Sequence, residues 1–263
     1  MSLTPQPGLF VLSIDVSLAR ETTAVAWAVA VAEHLAASRV PATWALDLTT
    51  NPDLVADLKS AEAGHEVAIL ADRSWAGRYT PRHLVAAELE IRVRGAVTAG
   101  YAPHTLVLTG GHVTEQFDLL IKHGITAVRS VEKSWCRDDA REGAAWLRRW
   151  RGADVATNSV RSLRWGLWEI GHSLDAIGLR HGVVGRAIDQ AAASGGLVHL
   201  SLDLAGLTGK VSAGLKLVDR IVAQVAPLRE QQSIETLTIA GLAARLSRPR
   251  QNPPARSILR PAA

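Results

Sequence analysis

Six polar side chains stand where apolar runs end in this chain, and their types could support acid/base or cation chemistry. Asp15 closes the run Phe10-Val-Leu-Ser-Ile, Asp47 follows Ala42-Thr-Trp-Ala-Leu, Asp72 follows Val67-Ala-Ile-Leu-Ala, and Asp203 closes Leu197-Val-His-Leu-Ser-Leu. His112 comes after Leu106-Val-Leu-Thr-Gly-Gly, and Arg129 ends Ile125-Thr-Ala-Val. A carboxylate inside an apolar strand must be paired or hydrated. Two of them within about 5–9 Å can share the roles of acid and base, as in glycoside hydrolysis. Several together can hold a hard, oxygen-preferring cation such as Mg²⁺. The plainer alternative is that the acids cap the helices that follow or pair with nearby arginines, as Asp72 can with Arg73. Asp15, Asp203 and His112 are the candidate catalytic groups, because Asp15 and Asp203 interrupt apolar strands and Gly110-Gly111 lets the backbone beside His112 approach a ligand. Asp47, Asp72 and Arg129 are candidate ligand-binding groups on the same rim.

These residues need a scaffold that brings strand ends together. Apolar runs at 9–15, 41–47, 65–71, 104–109, 125–129 and 196–203 predict strands. Helices are predicted over 21–38, 52–62, 81–99, 115–123, 138–150, 184–194, 210–229 and 235–247. Thr80-Pro81 supplies a helix start with Thr at the cap and Pro in the first turn, and Gly64, Gly124 and Gly195-Gly196 stand where helix C-caps belong. Alternation of this kind implies an α/β chain with a parallel sheet, open or closed, and helices outside. Chemistry in such folds sits at the C-terminal ends of the strands.

The 263 residues, 48% of them hydrophobic, suffice for a full α/β core. The domain is expected to span 1–247. An irregular, Trp- and Arg-rich insertion is expected at about 131–182, and a disordered basic tail over 248–263. The insertion contains Trp135, Trp146, Trp150, Trp165 and Trp168 among several arginines. Tryptophan faces stack on sugar rings, and arginines between them suit anionic groups; Trp165 and Trp168 are therefore candidate ligand contacts. The alternative is that these rings only pack a lid onto the domain. His199, between Val198 and Leu200, either points inward as a ligand contact or is a satisfied core histidine. His65, at the opposite end of its strand, is expected to be structural.

A single cysteine, Cys136, excludes an internal disulfide and a multi-cysteine zinc site. The N-terminus lacks the form of a signal peptide and no apolar stretch is long enough to span a bilayer, so a cytoplasmic location without membrane association is expected. A formal charge of +4 is too small to indicate a nucleic-acid partner.

Several residues together carry a resemblance. Leu-Ser-Ile-Asp15, Ala-Thr-Trp44-Ala, Gly64-His65-Glu66-Val, the Gly-Ile pair at 124–125 and Gly-Gly-Leu-Val-His199-Leu occur in an order and spacing that resembles the NodB-type polysaccharide deacetylases over about residues 9 to 246. The resemblance implies a distorted (β/α) barrel. It also implies metal-assisted hydrolysis of an N-acetyl group on a sugar, with an aspartate as base and a histidine as acid. Asp15 matches the base. The metal-ligating acid falls on Val16 or Ser17, and the two ligand histidines fall on Leu70 and Ser74. The Arg- and Pro-rich motif falls on Leu108-Thr-Gly-Gly-His112, and the acid histidine falls near Asp203. Zinc sites of this kind are built from imidazole and carboxylate, so the resemblance implies a lost metal site and no metal cofactor.

Two functions follow as expectations. The first is a deacetylase-like barrel without the metal-dependent activity, binding a carbohydrate or sugar-derived ligand or a protein partner. The second is an enzyme with a rebuilt, metal-independent site using Asp15 with Asp203 or His112.

Overall fold

The computed structural model of the protein describes residues 6–16, 22–47, 52–60, 64–109, 113, 116–130, 160–172, 174–176, 181–204 and 211–248. Strand β1 (Gly8–Val16) organises the rest. Phe10, Leu12, Ile14 and Val16 enter the core shared with the outer helices, while Val11, Ser13 and Asp15 alternate onto the opposite face. Both faces are buried, so the strand reads as one apolar run broken only by Ser13 and Asp15.

The chain continues through α1 (Thr22–Ala37), β2 (Thr43–Leu46), α2 (Pro52–Ser60), β3 (Glu66–Asp72), α3 (Arg82–Thr98), β4 (Thr105–Thr109), α4 (Phe117–Lys122) and β5 (Ala127–Ser130). It then forms β6 (Val160–Ser162), β7 (Trp168–Ile170), β8 (Leu174–Asp175), α5 (His181–Ser194), β9 (Leu197–Asp203), α6 (Val211–Glu230), β10 (Ile234–Leu237) and α7 (Ile239–Ser247). Strands pair in the order β6-β7-β5-β4-β3-β2-β1-β9-β8, all parallel except β6 with β7. One edge of β1 pairs with β9 over Leu9–Asp15. The other edge is divided between β10, at Gly8–Val11, and β2, at Ser13–Val16. The sheet is curled with helices outside, which is the distorted (β/α) barrel expected, and among the described residues β6 and β8 do not pair to close it.

The six expected strands all form, with ends that differ by at most two residues. Three corrections follow. The expected helix over 235–247 begins only at Ile239, because Ile234–Leu237 pairs with β1 and Thr238 caps the shortened helix. Thr80 does not cap α3; Pro81 holds the cap position, and no side chain bonds there. The expected irregular insertion contains β6, β7 and β8, while its helix over 138–150 lies outside the described residues, as does the tail beyond 248.

Helix α7 closes the N-terminal end of the barrel. Ile239, Leu242 and Ala243 pack against Val11, Ala127 and Ile170. The first N–H groups of a helix need partners from outside it. Ile239 N–H donates to Thr43 Oγ1 at 2.9 Å, Ala240 N–H to Glu66 Oε2 at 2.9 Å, and Gly241 N–H to Thr238 Oγ1 at 3.1 Å. The Thr43 hydroxyl in turn donates to Glu66 Oε2 at 2.9 Å. Burial pushes the Glu66 carboxyl above its usual range, opposed by these hydrogen bonds. No described helix is long and apolar enough to cross a membrane.

Where β1 enters the barrel, Gly8 lies against the last turns of α5: a Cβ built there would come 2.3 Å from Ala191 O. Gly8→Ala must therefore displace backbone. The expected loss is about 1–3 kcal/mol in a urea unfolding experiment, as for other overpacked sites.

Candidate functional site

The inner face of the sheet carries one continuous polar chain. Arg129, from β5, is fully buried and Asp15 is 5% exposed. The Arg129 Nη2 donates to Asp15 Oδ2, and Nη1 donates to Ser13 Oγ at 2.7 Å. Ser13 Oγ lies 2.9 Å from His199 Nε2. His199 Nδ1 lies 3.2 Å from the carbonyl oxygen of Gly171, which can only accept, so Nδ1 carries the proton. Nε2 is then the acceptor for the Ser13 hydroxyl. The donor direction runs from Arg129 to both Ser13 and Asp15, from Ser13 to His199, and from His199 to Gly171. Burial, together with the nearby Arg129 and His172, holds His199 well below its ordinary range, so the ring is neutral, as its bonds require.

The elements explain the convergence. Ser13 and Asp15 share a face because they are two apart on β1. The parallel register sets His199 beside Val11 and Ser201 beside Ser13. Arg129 reaches across the interior past small residues: Ala45, Ala68 and Val107, with Leu70, line the intervening strands. Asp15 Oδ1 and Arg129 Nε are both buried without a hydrogen-bond partner among the described residues. The guanidinium edge that carries Nη2 also carries Nε, so a small rotation of the carboxylate would pair these two atoms and make the contact bidentate. Two orphaned atoms here do not require a bound molecule.

The other expected rim residues are placed differently. Asp203 lies opposite Asp15 in the β1–β9 register and is exposed. Asp47 faces Arg92 of α3, with Oδ1 3.7 Å from Nη2, rather than joining Asp15. Asp72 Oδ1 accepts the Ser74 N–H at 2.8 Å and also its hydroxyl, a local turn within the connection from β3 to α3 rather than a cap on α3. His112 lies outside the described residues. Among the described residues, no group of three or more His, Cys, Asp or Glu side chains is placed to hold a metal ion.

The two described tryptophans of the insertion lie away from this rim. Trp168 begins β7 beside Ala127, where β5 begins, and its Nε1 donates to Ser247 Oγ of α7 at 2.9 Å. It packs with the plug at the N-terminal end. Trp165, 67% exposed, precedes it in a short 3₁₀ turn. Both therefore stand at the opposite pole from Asp15. His65 is structural as expected: its Nδ1 accepts Ala42 N–H at 3.1 Å, its Nε2 lies 3.3 Å from Ala32 O, and its ring meets Trp44 edge-on at 5.9 Å.

Sequence reasoning passed over Ser13, although its spacing of two from Asp15 puts both on one face. It also missed a second polar set, in which the buried Ser130 Oγ donates to the buried Glu169 Oε1 at 2.8 Å and the exposed Arg161 Nε donates to Glu169 Oε2 at 2.9 Å.

No protein-family model and no curated protein matches the chain. Solved structures do. A protein assigned as a polysaccharide deacetylase from Mycobacterium smegmatis superposes with a TM-score of 0.62 at 15% identity, covering 100% of both chains. The 4-alpha-glucanotransferase from Thermococcus litoralis gives 0.56 at 13% identity, over 93% of this chain and 41% of that one. A mutant of a CE4-family pseudoenzyme gives 0.51 at 11% identity, over 91% and 68%. Identities this low speak to architecture, and the chain has the polysaccharide deacetylase fold.

Proposed function

We propose that this chain uses the polysaccharide deacetylase fold without metal-dependent deacetylation, and that its barrel mouth binds a carbohydrate-containing ligand. The observation that carries the reading is the buried Arg129 guanidinium on Asp15. In the matching family position that aspartate is expected to act as base beside a divalent ion. Here a fixed, buried guanidinium already takes up one oxygen of that carboxylate.

The donors at the expected metal positions do not fit a divalent ion. Of the two positions expected for the acid, Val16 has no ligating atom and Ser17, outside the described residues, carries a hydroxyl in place of a carboxylate. Leu70 is 6% exposed and packs with Ala45, Ala68 and Val107, and the Ser74 hydroxyl is engaged by Asp72. Catalytic zinc needs imidazole, carboxylate or thiolate at these places. The carbohydrate part of the reading draws on the glucanotransferase and deacetylase neighbours, and the pseudoenzyme among them supports retention of the fold without the chemistry. Fold likeness by itself does not transfer activity.

The second reading, an acid/base enzyme at the same rim, is favoured by the register that sets Asp203 opposite Asp15. One experiment separates the two. The protein is dialysed against zinc, its bound metal measured, and acetate release from an N-acetylated oligosaccharide followed, each beside Asp15→Asn. The expected result is no stoichiometric zinc and no acetate from either protein. One zinc per chain, lost with Asp15→Asn and accompanied by acetate release, would overturn the proposal. Metal-free turnover of a sugar substrate that disappears with Asp15→Asn would establish the second reading instead.

A further inference from the structure

The connection from β3 to α3 presents an aromatic ring and a guanidinium at the C-terminal rim. Thr80 N–H donates to Gly77 O at 3.0 Å, which closes Gly77-Arg78-Tyr79-Thr80 as a β-turn with Arg78 and Tyr79 at its two central positions. Its base is fixed. Trp75 and Ala76 are buried, Ala76 N–H donates to Asp72 O at 3.0 Å, and the Arg92 guanidinium lies 4.4 Å from the Trp75 ring centre. Gly77 suits the tight path, since a Cβ would meet Arg73 O at 3.0 Å and Thr80 Oγ1 at 3.2 Å. Beyond the turn, Arg82 Nη1 donates to Asp118 Oδ1 at 3.0 Å and ties the start of α3 to α4.

On this base Tyr79 is 88% exposed, the largest exposure among the described large hydrophobic side chains. The Arg78 guanidinium lies 5.8 Å from its ring centre. At an exposed site such a contact contributes only about 0.5–1 kcal/mol, far less than burying the ring would. An exposed ring on a mobile loop would call for no explanation. A ring held out on a hydrogen-bonded turn is different, because little backbone freedom remains to be lost when something binds it. With Trp165 and Trp168 at the opposite pole, Tyr79 is the exposed aromatic side chain at this rim among the described residues. The charge directly beside it is the Arg78 guanidinium, whereas the Asp72 carboxylate, at the other end of the connection, is hydrogen-bonded to Ser74.

We infer that this turn is the ligand-contacting lip of the barrel mouth, with Tyr79 stacking on a sugar ring and Arg78 meeting an acidic substituent, so that the ligand class is an anionic glycan. The inference rests on the carbohydrate reading above. A pyranose presents an apolar C–H face for the open side of the ring, and a carboxylate on the same sugar matches the planar guanidinium.

Calorimetric titration with short oligogalacturonate and with neutral chito-oligosaccharide of equal length, at two salt concentrations, tests it. Wild type is expected to bind the acidic probe more tightly, with a margin that shrinks as salt rises. Tyr79→Ala should weaken both probes about 3- to 10-fold, the scale of one aromatic contact. Arg78→Ala should abolish the preference for the acidic probe while changing affinity for the neutral one less than about threefold. Both side chains are exposed, so circular dichroism should be unchanged. Binding of either probe that is unaffected by both substitutions would overturn the lip and leave the carbohydrate reading standing. A preference for the neutral probe would overturn the anionic assignment, and no binding of either probe by wild type would overturn both.

Discussion

Arg129→Met is expected to cost about 3–5 kcal/mol of stability, because it leaves the buried Asp15 carboxylate without its counter-charge. Methionine fills much of the same volume, so the loss is electrostatic rather than a cavity effect. A double variant distinguishes this from general damage to the core. Asp15→Asn combined with Arg129→Met should be more stable than Arg129→Met alone, since the uncompensated charge is removed; strict additivity of the two changes would refute the pairing.

The same pair shows what the sequence can and cannot reveal. Asp15 was legible because a carboxylate ending an apolar run is costly unless something answers it, and Arg129 was legible as a rim residue for the same reason. Their pairing was not, since 114 residues separate them and no local pattern encodes which side of a curled sheet faces which. The strands that frame the site were predicted because each has a run of apolar residues long enough to show its period. Strands β6, β7 and β8 have two or three residues and carry almost no periodic signal. Missing β7 had a consequence: Trp168 read as part of an irregular lid, whereas its place at the start of a parallel strand puts it at the N-terminal end. Strand β10 was absorbed into a helix because Ser233-Ile-Glu-Thr-Leu-Thr-Ile leads into the helical pattern without a Gly or Pro between them. Asp47 and Asp72 look like Asp15 in sequence. What separates them is a neighbour, Arg92 in one case and Ser74 in the other, that only the packing of α3 and the following turn supplies.

Folding of the barrel is also expected to weaken as pH falls below neutrality, and His199 is the expected source. Its folded value lies well below the ordinary 6.5, so between the two the unfolded chain binds a proton that the folded chain refuses. Stability is then fully present above pH 6.5 and declines as pH falls from there toward the lower folded value, by up to about 1.4 kcal/mol per pH unit. The structural reason is specific. Protonation would put a second donor on Nε2, reversing its bond with Ser13, and would place a cation beside Arg129 and His172. His65 is lowered by burial as well and adds a smaller effect of the same sign. Glu66 acts the other way: its raised carboxyl makes the folded chain bind more protons above pH 4.5, so its contribution is lost as pH rises through the folded value. A single acid-unfolding curve would blend these terms. His199→Gln keeps an acceptor for Ser13 and a donor for Gly171 without a titrating ring, so its unfolding free energy should lose the pH 6.5-to-5 slope even if its absolute stability is lower. Glu66→Gln should steepen the net slope just above pH 4.5, where it removes the opposing term. An unchanged slope in His199→Gln would mean that the ring is not held neutral, and the Ser13–His199 step alone would change direction, with Nε2 donating to Ser13 Oγ.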